Sequence, residues 1–177
     1  MAIFLLRHAK TVNNMKNIIT GRIETEILPD TNIVLDGNVS FEYIYCSTSK
    51  RCRDTIAMLP THMYNGNINF AEELQERSVG FLEGMEREVA MELYPHLFYQ
   101  NKLSVNAEIE GGETIRDVKN RIEEVVRDII IRGTNMNVLV CSHNQTLKVI
   151  YAMIHNIEIT DEYWANTNFL NGTIVKI

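Results

Sequence analysis

The sequence predicts an α/β protein in which a mainly parallel central sheet lies between two layers of helices. Unbroken apolar runs at Ile3–Leu6, Tyr43–Cys46 and Val138–Cys141 have the length and composition of strands that are buried on both faces. A further short strand is expected at Ile68–Phe70. Each of the first three runs precedes a segment with helical periodicity, and this alternation is typical of a three-layer sandwich.

Three helices are predicted, because in each of three segments apolar residues recur at the spacing of one helical face. The longest is expected to begin after Thr114, because Thr114 and Asp117 have the spacing of a capping box. A second helix follows Cys46 and stops before Pro60, and a third follows His143. Their apolar faces are expected to form the core of the protein.

The length of 177 residues and the mass of 20.4 kDa fit one domain, so residues 1–177 are treated as a single unit. Segment 77–112 departs from the alternation of strands and helices. It contains Gly80, Gly84, Pro95 and a Gly111-Gly112 pair, with one short helical candidate at Glu86–Leu93. We predict that this segment forms a lid or a side wall.

The charge balance excludes a positive field over the whole protein. Seventeen Lys and Arg against 23 Asp and Glu give a net charge of −6 and a pI near 5.4, so no nucleic-acid partner is predicted. No apolar run approaches the roughly 20 residues of a membrane span. Met1–Leu6 lacks a basic leader and a cleavage site, so a cytoplasmic protein without a membrane partner is expected.

Basic side chains stand at the ends of the predicted strands. Arg7 and His8 directly follow the first strand, His143 follows the penultimate strand, and Arg51 lies near the start of the helix after the second strand. If these strands are neighbours, two imidazoles and two guanidiniums meet at the sheet edge where α/β proteins bind ligands. Guanidinium forks bind phosphate oxygens in pairs, so this cluster suits a phosphate.

Two helix N-termini, at Ser49 and Asn144, are expected to add backbone N–H donors to this anion site. No carboxylate arrangement suited to magnesium and no P-loop pattern is present, so neither a metal nor a cofactor is predicted. From the residues alone the alternatives stay open, because a lone histidine after a strand is often structural and a lone arginine is often ion-paired.

The run Leu5-Leu6-Arg7-His8-Ala9-Lys10-Thr11 resembles the signature of the histidine phosphatase superfamily, in its phosphoglycerate mutase-like branch. Four more blocks resemble the family in the same order along the chain. They are Tyr45–Thr55, Leu74–Gly84, Gly111–Thr114 and Val138–His143. The resemblance spans nearly the whole chain and implies a phosphoglycerate mutase-like fold.

The resemblance also implies a metal-independent phosphoryl transfer through a phosphohistidine. His8 is implied as the nucleophile, and Glu76 as the group that protonates the leaving oxygen and later takes a proton from water. The remaining groups are implied to hold the phosphate as its charge redistributes. These groups are Arg7, Asn14, Arg51 and His143. Asn144 is expected at the phosphate because of its place at the adjoining helix N-terminus, and not because of the resemblance.

The chain departs from the family pattern at three positions near these residues. Ala9 replaces a glycine and brings a methyl group that could narrow the pocket, Lys10 replaces an acidic residue and could alter the charge that the substrate meets, and Asn144 stands where glycine is common. The long first helix of the family is also shortened, because residues 28–41 contain several helix breakers. We expect a loop or a small strand pair there, leaving an exposed apolar flank that a second subunit of a homodimer could bury.

The function that these observations favour is hydrolysis of a small phosphomonoester through a phosphohistidine on His8. One alternative is phosphoglycerate mutase-type transfer, which uses the same groups but needs a more enclosed pocket. Another is a catalytically weak module that binds phosphorylated ligands, motivated by Ala9, Lys10 and the reduced first helix. The substrate itself is not readable, since the residues that select it fall within 77–110.

Overall fold

The computed structural model describes residues 1–35, 37, 39–65 and 67–177. Within them, seven strands belong to two sheets. The strands are β1 (Ile3–Arg7), β2 (Tyr43–Ser47), β3 (Ile68–Ala71), β4 (Phe98–Tyr99), β5 (Lys102–Leu103), β6 (Val138–Ser142) and β7 (Ile174–Lys176). The main sheet has the order β3-β2-β6-β1-β7, and β4 pairs with β5.

All neighbours in the main sheet are parallel except β7, which runs antiparallel to β1 at one edge. The predicted α/β fold with a mainly parallel sheet is therefore confirmed. The edge strand β7 was not predicted, because three residues are too few to display a periodicity.

Six α-helices occur in the described part of the chain. They are α1 (Val12–Met15), α2 (Lys50–Ala57), α3 (Arg87–Leu93), α4 (Ile115–Gly133), α5 (Asn144–His155) and α6 (Asp161–Asn166). The predicted capping box of α4 is present: Thr114 accepts a hydrogen bond from the Asp117 amide, and the Asp117 side chain accepts one from the Thr114 amide. No described helix has both the length and the apolar composition of a membrane span.

The core is divided by the sheet because alternate strand residues point to opposite faces. On β6, Val138 and Val140 pack with α4 and α5, whereas Leu139 and Cys141 pack with α2. Helices thus cover both faces, as a three-layer sandwich requires. All three cysteines are buried and unpaired.

Residues 28–41 contain no helix in their described part, in agreement with the predicted shortening. The flank is not bare, because Ile33, Leu35 and Val39 pack against the α2 side of the core. An apolar surface is nevertheless present, since these three side chains are only partly buried and line a pocket with Leu59 and Met63. The segment is held to the sheet by the Val34 amide, which donates to the Gly172 carbonyl at 2.7 Å. Asp36 and Asn38, which contributed to the prediction, lie outside the described residues.

Segment 77–112 has a small core of its own, to which Ile19 also belongs. Three-residue 3₁₀ helices, α3 and the β4–β5 hairpin make up most of it. The segment joins the loop after α1, because the Ile19 amide donates to the Met85 carbonyl at 2.8 Å and the Gly84 amide donates to the Ile19 carbonyl at 2.8 Å. It stands beside the carboxyl edge of the sheet.

Candidate active site

The carboxyl ends of β1 and β6 lie side by side in the sheet. Arg7 pairs with Ser142 in the register, so His8 and His143 leave the two strands at the same level. Their ring centroids are 5.2 Å apart. This proximity follows from the strand order. β1 and β6 are neighbours in the sheet, although Arg7 and Val138 are 131 positions apart in the chain.

A cavity of about 270 Å³ opens at this edge. Its volume is near the lower end of the range for small-molecule sites, which is about 300–1,000 Å³, so it suits a small metabolite. The predicted site residues that line it are Arg7, His8, Asn14, Arg51, Glu76 and Asn144. His143 is not among the described residues that line this cavity and lies behind them.

The tautomer of His8 is set by its own loop. The ring nitrogen Nδ1 lies 2.8 Å from the carbonyl oxygen of Ala9, which can only accept a hydrogen bond. Nδ1 therefore carries the proton, and Nε2 keeps a lone pair. Since His8 lines the cavity, this lone pair is the nucleophile available to a bound substrate.

The surroundings of His8 also keep the ring neutral. Burial lowers its pKa well below the usual value, the positive charges of Arg51 and Arg7 lower it further, and the hydrogen bond to Ala9 offsets only part of this. A neutral imidazole is the form that can attack phosphorus. The same arginines that attract an anion thus keep the nucleophile unprotonated.

Arg51 is fixed by three hydrogen bonds. Its Nη1 and Nη2 donate to the carbonyls of Ile23 and Gly21 at 2.8 Å each, and its Nε donates to His143 Nδ1 at 3.1 Å. A guanidinium has five N–H groups, so two remain for an anion. The side chain is only 2% exposed, so its charge acts at a fixed point beside His8.

His143 accepts a hydrogen bond from Arg51 and so helps to fix the guanidinium. Because Nδ1 accepts from Arg51, Nε2 carries the proton and donates to Ser47 Oγ at 3.0 Å. Burial lowers the pKa of His143 well below its usual value, and the charge of Arg51 adds to the effect. A neutral His143 is required for this arrangement, since a protonated Nδ1 could not accept from the guanidinium.

Arg7 and Asn14 present free donors to the cavity. Arg7 Nη1 donates to the Phe169 carbonyl at 3.0 Å, while its buried Nε has no partner in the described part of the chain. The Asn14 carbonyl oxygen accepts from the amide of Thr11 and from Asn171 Nδ2, so its own NH₂ group is left for a ligand. Burial lowers the pKa of Arg7 to about 10, against the attraction of Glu76.

Glu76 is bound to the N-terminus of α5. Its carboxylate accepts from the amides of Gln145 and Thr146, at 3.2 and 3.1 Å, and from the Thr146 hydroxyl at 3.2 Å. The expectation that this helix start offers free amides to an anion is therefore wrong for these two groups. At α2 the Lys50 amide likewise donates to Glu24. The helix termini orient carboxylates instead.

A second carboxylate, Glu113, holds the main chain around Glu76. It accepts from Arg121 Nε at 2.8 Å, from Arg22 Nη2 at 2.8 Å and from the Ser78 amide at 2.9 Å. Arg22 and Arg121 in turn donate to the carbonyl of Glu76. Burial would raise the pKa of Glu113, but the hydrogen bonds from Arg121 and Ser78 lower it overall, so it stays ionised.

Gly21 allows the loop after α1 to reach Arg51. Its φ of +50° lies in the left-handed region, and an added Cβ would stand 2.3 Å from Glu83 Oε1. Glu83 occupies that space because its carboxylate accepts from the amides of Arg22 and Val79. Glycine therefore avoids both the strain of a positive φ and a clash with the Glu83 side chain at the point where the Gly21 carbonyl meets the guanidinium.

The three departures from the family pattern have different places. Ala9 is buried, its amide donates to Thr55 Oγ1 at 2.8 Å, and its methyl group does not line the described cavity. Lys10 is exposed and does not line the cavity either, so the expected change in the charge that a substrate meets is not found. Asn144 does line it, and its side-chain oxygen accepts from the Phe169 amide at 3.0 Å.

The cavity also has three basic residues that sequence reasoning missed: Arg87, Lys102 and Lys148. Arg87 and Lys102 come from segment 77–112, whose irregular sequence contains no signal for their direction. Lys148 could have been found, because a helix that begins at Asn144 puts the residue four positions later on the same face. Among the described residues, no three His, Cys, Asp or Glu side chains are arranged to hold a metal ion.

The chain is similar to known phosphatases along most of its length. It is 26% identical over 161 residues to a broad-specificity phosphatase of Saccharomyces cerevisiae, covering 84% of this chain and 67% of the relative. It is 26% identical over 164 residues to a metal-independent phosphoserine phosphatase of Arabidopsis thaliana, covering 86% of this chain and 68% of the relative.

The fold is also found in solved structures. Mycobacterial glucosyl-3-phosphoglycerate phosphatase in complex with VO3 superimposes with a TM-score of 0.78 at 16% identity, covering 98% of this chain and 90% of the other. A family model described as the histidine phosphatase superfamily, branch 1, matches residues 3–177. With the strand order and the paired histidines, this match establishes that the chain belongs to the histidine phosphatase superfamily.

Proposed function

We propose that this protein is a metal-independent phosphomonoesterase in which His8 Nε2 takes the phosphoryl group of a small substrate and passes it to water. The observation that carries the proposal is the state of His8. Its Nδ1 proton is held by the Ala9 carbonyl, and burial together with Arg51 and Arg7 keeps the ring neutral. An uncharged imidazole with a free lone pair in a basic cavity is an activated nucleophile for phosphorus.

In the first step the Nε2 lone pair forms a bond to phosphorus while the bond from phosphorus to the leaving oxygen breaks. The leaving oxygen takes a proton from Glu76, whose carboxylate has first received that proton from the monoanionic form of the bound phosphate, so the departing alcohol is neutral and the reacting phosphate is the dianion. Arg7 and Arg51 stabilise the equatorial phosphate oxygens, and Asn14 donates its free NH₂ to them. The positive charges come from side chains fixed before the substrate arrives.

In the second step water attacks the phosphorus and the bond to Nε2 breaks, releasing inorganic phosphate and the original imidazole. Glu76, now a carboxylate, takes the proton of the water. Its hydrogen bonds to Gln145 and Thr146 hold the carboxylate beside the cavity for both steps. Splitting one displacement in this way lowers the barrier of each.

His143 has a positioning role in this proposal. Through its bond to Arg51 Nε it fixes the guanidinium plane next to His8. Asn144 ties the cavity floor to the Phe169 amide. Residues 1–177 act as one catalytic domain with 77–112 as its side wall, and a cytoplasmic location and a homodimer remain predictions.

The names of the relatives favour hydrolysis over the alternatives. The yeast and Arabidopsis proteins are both named as phosphatases, one of them metal-independent. Mutase-type transfer requires the intermediate to be kept from water, and the cavity here opens to solvent beside residues of the side wall. A pure binding module has no need for a neutral nucleophile.

The test is turnover of p-nitrophenyl phosphate in the presence of EDTA. We expect the wild type to release inorganic phosphate with the chelator present, and the His8→Ala variant to lose activity by a factor on the order of 10⁴. The exposed His62 provides a matched control, since His62→Ala removes an imidazole outside the cavity. Turnover that disappears with EDTA, or that survives in His8→Ala, would contradict the proposal.

The fate of the phosphate separates hydrolysis from mutase-type transfer. With ³²P-labelled 3-phosphoglycerate, hydrolysis yields labelled inorganic phosphate. Appearance of the label in 2-phosphoglycerate without free phosphate would replace the proposal by transfer between hydroxyl groups. Binding without either product would favour the binding module.

A further inference from the structure

Arg87, Lys102 and Lys148 form a second basic group in the cavity, separate from the arginines beside His8. Arg87 is the first residue of α3, Lys102 begins β5, and Lys148 lies on α5 one turn after Asn144. All three line the same cavity as His8. Different elements therefore converge on one wall, and none of them carries the predicted phosphate arginines.

Among the described residues, these cations have no carboxylate partner. In the described ranges, every ion pair within 4.0 Å involves other basic residues, namely Arg22, Lys50, Arg121, Arg127 and Arg132. Lys148 is only 1% exposed, and its Nζ donates to the Trp164 carbonyl and lies 4.9 Å from the Trp164 ring centroid. An ammonium has three N–H groups, so two remain for a ligand.

Mutual repulsion makes this cluster unfavourable without an anion. Burial, together with the charges of Lys102, Arg7 and Arg87 and against the attraction of Glu76, lowers the pKa of Lys148 to about 8. Burial also lowers the pKa of Lys102, and Arg87 and Arg7 add to it. Positive groups that share a partly buried site without a carboxylate partner cost free energy that a bound anion offsets.

The cavity carries more positive charge than one phosphate dianion neutralises. Among the described residues, five cations line it, Arg7, Arg51, Arg87, Lys102 and Lys148, against one carboxylate, that of Glu76. Arg7 and Arg51 stand next to His8 and match a phosphate dianion. Three cations then remain in a chain whose net charge is −6, so their accumulation here is not a consequence of composition.

We propose that the substrate is a small phosphomonoester carrying a second oxyanion, and that Arg87, Lys102 and Lys148 bind this second group. A carboxylate and a second phosphate share this chemistry. The inference rests on the proposed function, because it takes the phosphate at His8 as the reacting group. The cavity of about 270 Å³ leaves room for a short carbon chain between the two anions.

The test compares substrates that differ only in the second anion. 3-Phosphoglycerate and glycerol 3-phosphate differ in a carboxylate, and fructose 1,6-bisphosphate and fructose 6-phosphate differ in a phosphate. We expect at least about tenfold higher kcat/KM and affinity for the doubly anionic member of at least one pair, as charge-assisted hydrogen bonds produce. The pair that shows the preference identifies the second group.

Variants of Arg87, Lys102 and Lys148 test whether these cations cause the preference for a doubly anionic substrate. Arg87→Met and Lys102→Met are each expected to reduce the ratio between the members of the preferred pair about tenfold. Lys148→Met should act in the same direction, and its melting temperature checks that the buried site still folds. Lys119→Met is the matched control, because it removes an exposed charge from α4 outside this cavity and should leave the ratio unchanged.

Calorimetric titration of the His8→Ala variant with the same pairs separates this proposal from the proposed function. A preference for the doubly anionic ligand that the cluster variants remove supports the second subsite even if the wild type hydrolyses nothing. Equal affinity for the members of both pairs, or a preference that survives in the cluster variants, overturns it. Turnover of p-nitrophenyl phosphate by the wild type would then leave the proposed function standing.

Discussion

The two basic regions of the cavity differ in how the protein holds them. Arg51 and His143 leave rigid elements and have protein partners: Arg51 makes three hydrogen bonds, and His143 is bonded on both ring nitrogens. Arg87 and Lys102 come from the irregular segment 77–112, are half-buried, and have no carboxylate partner among the described residues. The arginine and histidine of the first region are thus held in place by the protein itself, whereas the cations of the second are not held by any carboxylate among the described residues.

This contrast separates chemistry from selection. Groups that stabilise a transition state must be fixed before the reaction, and Arg51 and His143 meet that condition because the protein holds each of them by more than one hydrogen bond. Groups that select a substrate act by differences in affinity, which unpaired charges on a loop-like wall provide. The strand-end region consists of Arg7, His8, Arg51 and His143, which lie at or just beyond the carboxyl ends of β1, β2 and β6. Changes in this region should therefore affect kcat, whereas changes in the side wall should affect which substrate is preferred.

The largest expected effect outside His8 is that of Glu76→Gln. An amide cannot protonate the leaving oxygen, so kcat for an alkyl phosphate should fall about 10²–10⁴-fold. p-Nitrophenyl phosphate, whose leaving group needs little protonation, should lose less in its phosphorylation step. Glu72→Gln is the control, since Glu72 is exposed and does not line the cavity. An equal loss for both leaving groups would contradict a proton-donating role.

Arg51→Lys tests whether the strand-end region depends on geometry as well as charge. Lysine keeps the charge but cannot make the three hydrogen bonds to Gly21, Ile23 and His143. We expect kcat/KM to fall about 100-fold and the melting temperature to drop. Arg53→Lys is the control two residues away, where the side chain is exposed. Activity within twofold of wild type would show that charge alone suffices.

Glu113→Gln tests whether Glu113, which does not line the cavity, fixes the position of Glu76 through Arg22 and Arg121. We expect kcat to fall about tenfold with KM little changed, because Arg22 and Arg121 lose the partner that fixes them against the Glu76 carbonyl. The free energy of unfolding at pH 7 should fall by about 1–2 kcal/mol, with surface screening taken into account.

The pH dependence of that stability has a defined sign. The pKa of Glu113 is lowered by folding from its ordinary value of 4.5, so its contribution is complete above that value and is lost as the pH falls through the lower, folded-state pKa. The urea denaturation curves of wild type and Glu113→Gln should therefore converge in acid. A difference that stays constant down to pH 2 would contradict an ionised Glu113.

The smallest effect concerns Lys148, the member of the second basic group that lies on α5. The pKa of Lys148 is about 8, lowered by burial and by Lys102, so the free protein loses this charge as the pH rises from 7 to 9.5. The preference for a doubly anionic substrate should fall severalfold over this range. Lys148→Met should remove the dependence, whereas a dependence that persists in the variant would assign it to Lys102.

The strand-end region was accessible from sequence because its geometry follows from a general rule. Short apolar runs identify parallel strands, whose carboxyl ends share one edge, and this places Arg7, His8 and Arg51 together. The orientation of His143 could not be predicted, since it depends on Ser47 Oγ, which lies 96 residues away in the chain. Sequence also did not reveal that Glu76 occupies the start of α5, because that contact is likewise long-range.

The side wall was beyond sequence reasoning for a different reason. Segment 77–112 has no repeating apolar pattern, so nothing in it indicates that Arg87 and Lys102 point to the same cavity. The covered flank at Ile33, Leu35 and Val39 was missed for the same reason, since an irregular segment can pack without a period. A repeating apolar pattern predicts helices and strands, but it does not predict how an irregular segment packs.

The most direct test of the account is identification of the phosphorylated residue. The wild type is mixed with ³²P-labelled 3-phosphoglycerate or another substrate that it turns over, quenched in alkali within milliseconds, digested and analysed by mass spectrometry. We expect an acid-labile phosphoryl group on His8 that is absent in His8→Ala. Label on another residue, or burst-free turnover with no labelled protein at any time, would contradict it.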